Sequence, residues 1–582
     1  MKKIIGTALK VCKPYPETAL FSLIGSGLLF LSPAKVHLKF LSPIDNAYLW
    51  RRSSVVAVLL ASYGVVFLLL AISSYRASLK GTFLTERALR CLGSTIAMWQ
   101  ADLRPAIRRS LFSGRNIFRL FLVIGIGIAA RAYFLSQPMR YDEAYTFLNY
   151  VNGDFTHAFY YPIPNNHVLH TLLAKLSTLI WGAHPESIRL PAFLAGIASI
   201  PLIFCLCREL LRGSSGLFAA ASVAAFPYLI LYSSNARGYS IIVFLSLGLM
   251  LVGARFARTP SMEASAMLSA TAAFGLMTIP SMAFSLAGIY LWLFCVHLLN
   301  GIPLARVLRK FVFPTAIMTA AFSAVLYSPV VLATNGLQSL LSNEFVQAQP
   351  SDVFFNQVYA HFAEAIADYS RDIPNALLIF GSILLVLGMY SAASQGNWAI
   401  FLLLPSLFGG SAVLFIVKHA IPFPRTWIYM IPAVLIVVDA GWTYSIDKFS
   451  KPLRIAAVNL MLLAAAVYAV FLISTNAIEK YPDTGNFAEA PVVASYLESA
   501  MNDGDAVDGI VPVDYPTYFY LWYQDVGDIR PRRDNPTQGK FYIVKKSAYS
   551  IEETTEDNVE KLFEIDDAAI YKSIPEEAGK TP

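Results

Sequence analysis

Arg140-Tyr141-Asp142-Glu143-Ala144-Tyr145 sets two adjacent carboxylates a few residues past an apolar run, 117–135, that is long enough to cross a bilayer. A carboxylate at that point can take the proton of an attacking hydroxyl as a general base. Further along stand Asn165, Asn166, His167, Arg189, Asn235, Arg237, Tyr239, Arg371, Lys418, His419 and Arg425, all in segments that the charge pattern places on the same side. Cationic and hydrogen-bonding groups stabilise a departing phosphate. Arginine suits phosphate because its planar fork engages two oxygens at once. Acid, cations and amides together are what transfer of a group from a lipid phosphate to an alcohol requires.

Each of these residues also has a bland role open to it. Loops carry charge by default, and Asp142 or Glu143 could pair with Arg140. Arg237 at the mouth of a span could snorkel to the headgroups. His167 and His170, three apart, lack a third well-placed metal ligand. Arg189 follows Glu186 at helical spacing and could form a local ion pair. Asp439 lies near a helix end on the opposite side and reads as structural, and Lys418-His419 could simply flank a span.

The elements that must position these groups are membrane helices. The 582 residues are 56% hydrophobic and 14% charged, with mean hydropathy +0.54. A soluble chain would carry about a quarter charged residues. Apolar runs fall near 17–33, 53–74, 117–136, 187–207, 214–232, 238–255, 261–277, 282–299, 311–333, 373–391, 398–417, 426–443 and 455–474, about thirteen spans in all. They are continuously apolar without period-2 alternation, which predicts helices rather than a barrel. The stretch 168–180 is apolar but interrupted by His170 and Lys175, and predicts a helix lying in the outer interface.

Lysine and arginine set the orientation. The segment between the second and third runs holds Arg76, Lys80, Arg87, Arg90, Arg104, Arg108, Arg109 and Arg115 against Glu86 and Asp102, which predicts a cytoplasmic side. Within it, 88–99 reads as a short helix on the inner leaflet. The basic loops at Arg208, Arg255, Arg306 and Lys448 agree, while the 34–52 loop dissents. Loops 137–186 and 334–372 and the tail from Asn476 then face outward. From Asn476 onward there are 21 acids and 10 bases, against 17 acids and 35 bases before it. A basic membrane portion suits anionic headgroups, and no clustered basic domain for nucleic acid is present. The tail reads as a small α/β domain, with helices over 492–501 and 515–523 and strands over 506–512, 541–546 and 568–572. Its Arg530, Arg532 and Arg533 read as a solvated loop.

Three regions are predicted: an N-terminal extension with two spans and a basic loop (1–115), a membrane domain (116–475), and a soluble outer domain (476–582). Lys2, Lys3, Lys10 and Lys13 before 19–31 resemble a signal sequence, here read as a retained anchor helix. Cys12, Cys91, Cys205, Cys207 and Cys295 follow no metal spacing and predict no disulfide framework. Nearly charge-free spans and acids gathered in loops favour an enzyme over a transporter or flippase of lipid-linked sugars, which would hold ionisable groups at midplane.

The first-loop Arg140-Tyr141-Asp142-Glu143 resembles the signature of the GT-C glycosyltransferases related to protein O-mannosyltransferases and the lipid A aminoarabinose transferase. Asn166-His167-Val168-Leu169 resembles their His-Pro-Pro-Leu element with both prolines replaced. Ser187-Ile188-Arg189-Leu190-Pro191-Ala192, Asn235-Ala236-Arg237-Gly238-Tyr239 and the stretch from Arg425 through Tyr429 to Pro432 follow in the family's order. The resemblance runs from about residue 117 to the tail. It implies a polytopic α-helical GT-C fold and a sugar donor on a polyprenyl phosphate. It also implies inverting transfer to a lipid, glycan or protein hydroxyl at the outer face of the plasma (bacterial inner) membrane. By the same resemblance Asp142 is the base and Glu143 shapes the acceptor site. His167, Arg237 and Asn166 face the donor phosphate, and Arg140, Tyr239, Asn235, Arg371, His419 and Arg425 contribute to substrate binding. Many relatives carry an acid at Asn235, so no metal ligand set is assigned, and a divalent cation stays open.

Overall fold

A computed structural model describes residues 104–111 and 116–574 apart from 212, 258–259, 334–345, 503–504, 527–538 and 556. The two spans expected near 17–33 and 53–74, the 88–99 helix and Arg530, Arg532 and Arg533 lie outside the described residues. Eight described helices are long and apolar enough to cross a membrane: Asn116–Ser136, Pro185–Leu210, Tyr239–Phe256, Met282–Leu299, Leu304–Ala333, Asn375–Ser394, Trp398–Lys418 and Lys451–Ser474. Shorter helices, Met262–Thr278 and Met430–Ile446, fill two of the remaining expected runs. The run near 214–232 is broken into Leu217–Ala225 and Pro227–Ser233, because Pro227 has no N–H to continue the first helix.

That break explains a charge inside a span that hydropathy had passed over. Arg131 is fully buried in the first described span. Its guanidinium donates to the carbonyls of Val223 at 2.9 Å, Ala224 at 2.8 Å and Gly127 at 3.2 Å, and to Ser233 Oγ at 2.9 Å. The orphan carbonyls of a broken helix are thereby satisfied from a neighbour. Asp439 plays the matching part at the other end. It accepts from the Ala219 N–H at 3.3 Å and from Ser214 Oγ, pinning the start of the Leu217–Ala225 helix. The structural reading of Asp439 agrees with this.

Helices approach closely where side chains vanish. A Cβ on Gly388 or Gly441 would collide with the backbone of the facing helix, so Asn375–Ser394 and Met430–Ile446 pack backbone to backbone. Outward faces carry bare apolar side chains such as Phe313, Ile317, Val386 and Leu463. The loop 334–372 is not irregular throughout: it contains the helix Ser351–Ser370, with Phe354, His361 and Ala365 turned inward. The stretch expected to lie in the outer interface is helical over Val168–Trp181. It buries Val168, His170, Thr171 and Ala174 while exposing Leu176, Leu179, Ile180 and Trp181.

The tail forms a four-stranded sheet in the order β1 (Ala506–Gly509), β2 (Lys540–Lys545), β4 (Ala568–Ser573), β3 (Val559–Ile565). β1 runs parallel to β2, and the other pairs are antiparallel. Helices Ala490–Ala500 and Asp514–Tyr523 cover it over a core of Val507, Phe541, Ile543 and Ile570. The expected strand 506–512 stops at Gly509, short of Pro512, which cannot donate to a ladder. β3 escaped the sequence reading because Glu560, Lys561 and Glu564 leave it largely exposed. The domain docks on the loop 137–186: Phe147 meets Phe519 at 5.2 Å and Trp522 at 4.7 Å between ring centroids.

Candidate active site

The short helix Tyr141–Thr146 carries the two acids, and helical geometry sends them apart. Glu143 points into the protein and is fully buried. It accepts from Arg189 Nε at 2.8 Å and Nη2 at 2.7 Å, from Arg140 N at 3.0 Å, and from Ala236 N. Burial pushes its pKa up, but the Arg189 charge and these donors outweigh that and hold it below the usual carboxylate range. With every acceptor direction used, Glu143 is a bracket joining three segments, and the role of shaping an acceptor site does not fit it. Arg189 pairs with Glu143 rather than with Glu186, and also donates to the carbonyls of Leu135, Gln137 and Pro138.

Asp142 faces the other way. Its carboxylate lies 3.5 Å from Arg425 Nη2, with side chains 16% and 17% exposed respectively. Arg425 also donates from Nε to Tyr239 Oη at 2.9 Å and stacks over Phe423 at 4.3 Å. Asp142 Oδ2 has no hydrogen-bond partner among the described residues. That same oxygen is the one facing Arg425 Nη2, so the cation holds the acid by charge rather than through a formed hydrogen bond.

Behind it, Arg237 ties the loops together. Nη1 donates to Thr146 Oγ1 at 2.7 Å and Asn165 O at 2.8 Å, and approaches Asp142 O at 3.4 Å. Its Nη2 lies 3.1 Å from His167 Nε2. The Gly238 N–H donates to His167 Nδ1 at 2.8 Å, which in a neutral imidazole leaves the proton on Nε2. Burial first, then the Arg237 charge, lowers the His167 pKa well below its ordinary value, so the ring is neutral. Two N–H groups therefore meet with no acceptor between them, an arrangement that an anionic oxygen would satisfy. Glycine is needed at 238 because a Cβ there would press on Thr278 and His167. His167 and Tyr239 meet edge to face at 5.1 Å.

Other expected residues are placed elsewhere. Asn166 spends its amide on the carbonyls of Ala158 and Tyr160 and accepts from Thr171, so it pins its loop and has nothing left for a phosphate. Arg140 does not pair with either acid through its side chain, nor is it free for substrate. Its guanidinium donates to the carbonyls of Tyr481 at 2.6 Å, Asp483 at 2.8 Å, Ile478 at 2.9 Å and Glu479 at 3.2 Å. Arg371 lies over the Tyr481 ring at 5.2 Å, and no contact joins it to His167 or Arg237 among the described residues. His419 ends the Trp398–Lys418 helix in a left-handed turn, packs on Phe354, and accepts Gln349 N at its carbonyl. It too is outside the site. Asn235 donates to Thr484 Oγ1 at 2.8 Å, and its Oδ1 is without a partner among the described residues.

Sequence reasoning missed the segment around Asp483. One oxygen of that carboxylate accepts from the hydroxyls of Tyr228 at 3.1 Å and Tyr232 at 3.2 Å. A tail residue contacting membrane tyrosines some 250 positions upstream leaves no local signal. His170 was weighed only as a metal ligand. It is buried with neither ring nitrogen partnered among the described residues, and burial with the nearby Arg237 lowers its pKa to about 3. Among the described residues no group of three His, Cys, Asp or Glu is arranged to hold a metal.

Residues 165–333 match the family model described as Dolichyl-phosphate-mannose-protein mannosyltransferase. The fold is similar to ArnT from Cupriavidus metallidurans in the apo state, with TM-score 0.53 and 11% identity over 78% of this chain and 97% of that one. ArnT from the same organism bound to undecaprenyl phosphate gives TM-score 0.48 and 14% identity, covering 79% and 99%. The archaeal oligosaccharyltransferase AglB from Archaeoglobus fulgidus, in complex with an inhibitory peptide and a dolichol-phosphate, gives 0.41 and 12%, covering 74% and 61%. No curated protein sequence matches the chain. The family-model match inside the membrane core and the fold shared with ArnT over most of the chain show that this protein has a GT-C-type fold.

Proposed function

We propose that the chain moves a sugar from a polyprenyl-phosphate donor to a hydroxyl of a lipid, glycan or protein acceptor, with inversion, at the extracytoplasmic face of the plasma membrane. The observation that carries this is the meeting of Arg237 and His167, two donors facing one another 3.1 Å apart, with Arg237 also reaching the backbone carbonyl of Asp142, whose carboxylate faces Arg425. In the reaction, the acceptor O–H gives its proton to the Asp142 carboxylate as its oxygen forms a bond to the anomeric carbon. The bond from that carbon to the phosphate oxygen breaks, and its electron pair leaves on the polyprenyl phosphate. Arg237 and neutral His167 stabilise that charge by donating hydrogen bonds to it. Arg425, 3.5 Å from the Asp142 carboxylate, keeps it aimed.

An apolar groove of about 170 Å³ lined by Phe354, Phe362, Phe408, Phe415 and Trp427 lies two residues along the chain from Arg425 and suits an isoprenoid chain. The transporter reading is disfavoured by the ionisable groups within spans. Arg131 and Asp439 are both buried there, but each is engaged at a helix break rather than lining a path.

The test is sugar transfer by purified full-length protein. Asp142→Asn is expected to abolish transfer at unchanged abundance, and His167→Ala to raise the half-saturating donor concentration more than that of the acceptor. Full turnover by Asp142→Asn, or movement of fluorescent lipid-linked sugar across liposomes without any transfer, would overturn the reading.

A further inference from the structure

The tail does more than cover the membrane domain. Its first turn, Ile478–Lys480, and the residues up to Asn486 form a strap fastened at both edges of the site. Four of its carbonyls are gripped by the Arg140 guanidinium. Its backbone then pairs with the start of the acid-bearing helix, Tyr141 N donating to Gly485 O at 2.8 Å and Asp142 N to Thr484 O at 3.1 Å. Thr484 and Gly485 both sit at positive φ, 63° and 75°, which turns the strap sharply back on itself there. Asp483 is thus carried one residue from the backbone contact with Asp142.

Two buried hydroxyls, Tyr228 and Tyr232, donate to Oδ1 of Asp483 and fix its plane. Its Oδ2 has no partner among the described residues, and the residue is only partly buried. Asp368, on the helix Ser351–Ser370, is close enough that burial and then the Asp483 charge raise its pKa to about 6. No contact joins Asp483 to His167 or Arg237 among the described residues. What ties it to the acid is the backbone pair one residue on, from Asp142 N to Thr484 O.

Resting on the glycosyl-transfer reading above, we propose that Asp483 is a positioning residue for the acceptor: its free oxygen takes a hydrogen bond from a hydroxyl of the incoming sugar or polyol and orients it toward Asp142. The tail thereby supplies to the site a second carboxylate, one that Asn235 cannot provide. A carboxylate with one oxygen already saturated presents the other as a directional acceptor, which suits a hydroxyl.

The experiment compares wild type, Asp483→Asn and the double variant Tyr228→Phe/Tyr232→Phe as full-length protein. Binding of undecaprenyl phosphate is measured directly, and transfer is followed by mass spectrometry while a cell-envelope extract is titrated as acceptor. Asp483→Asn retains an oxygen for the tyrosines but replaces the free acceptor with an NH₂ donor. It is expected to raise the half-saturating extract concentration about tenfold while leaving undecaprenyl phosphate affinity within about twofold, because only one hydrogen bond to the acceptor changes. The tyrosine double variant is expected to have the smaller effect, since it removes only the orientation of Asp483. Unchanged half-saturation in an active Asp483→Asn protein overturns the proposal alone. Equal loss in the tyrosine variant also overturns it, by showing a purely structural anchor. Wild type that neither binds undecaprenyl phosphate nor transfers sugar overturns the glycosyl-transfer reading and this proposal with it.

Discussion

Removing the Glu143 side chain should damage stability far more than removing the charge of its neighbour. In Glu143→Ala the Arg189 guanidinium stays buried among three carbonyls with no counter-charge, and the N–H groups of Arg140 and Ala236 lose their acceptor. Breaking one side of a buried pair costs about 3–5 kcal/mol. The orphaned backbone groups draw on that same total and are not an independent sum. An apparent Tm lower by about 5 °C is expected for a chain of this size, measured by intrinsic fluorescence in detergent. Asp142→Asn, whose partner lies at 3.5 Å and is partly exposed, should shift it by less than about 1 °C. Replacing both partners, Glu143→Leu with Arg189→Met, should recover part of the loss, because no lone charge remains. The pH dependence has a definite sign. The folded pKa of Glu143 is depressed, so the pair's contribution is present above the ordinary glutamate pKa and is lost as pH falls through the lower folded value. The double variant should lack that acid-side loss. If Glu143→Ala melts within about 1 °C of wild type but abolishes transfer, the structural assignment is wrong and Glu143 belongs in the chemistry after all.

Three further outcomes follow from the geometry. Gly485→Ala places a Cβ against Tyr141 at a φ of 75°, and should destabilise by about 1–3 kcal/mol with a matching loss of transfer, read by melting and activity together. Arg140→Ala frees four strap carbonyls, so limited proteolysis should cut within 476–490 several-fold faster than in wild type. Asp368 titrates near pH 6, so a shoulder in the pH profile of transfer near 6 should disappear in Asp368→Asn; a profile unchanged by that substitution removes Asp368 from the site's electrostatics.

Run lengths of apolar residues were enough to determine a helical membrane core, because a bilayer leaves hydrogen-bonded helices as the way for such runs to cross. The family resemblance grouped Asp142, His167 and Arg237, and in the fold Arg237 meets His167 and the backbone carbonyl of Asp142. Alternating short elements disclosed an α/β tail, though the exposed β3 strand carried too little apolar pattern to be seen. What spacing could not decide is which way adjacent acids point. Asp142 and Glu143 are chemically near-equivalent in the sequence, and only the packing of Arg189, Arg140 and Ala236 turns one inward as a bracket while Arg425 holds the other at the surface. Nor could it decide partners hundreds of positions apart. Arg140 meets the strap at 478–483, and Asp483 meets Tyr228 and Tyr232, through contacts that exist only once the tail has folded back over the first loop. Local pattern specifies elements, because propensity and burial act within a few residues; the reach of a buried charge toward its partner is settled by the closed chain.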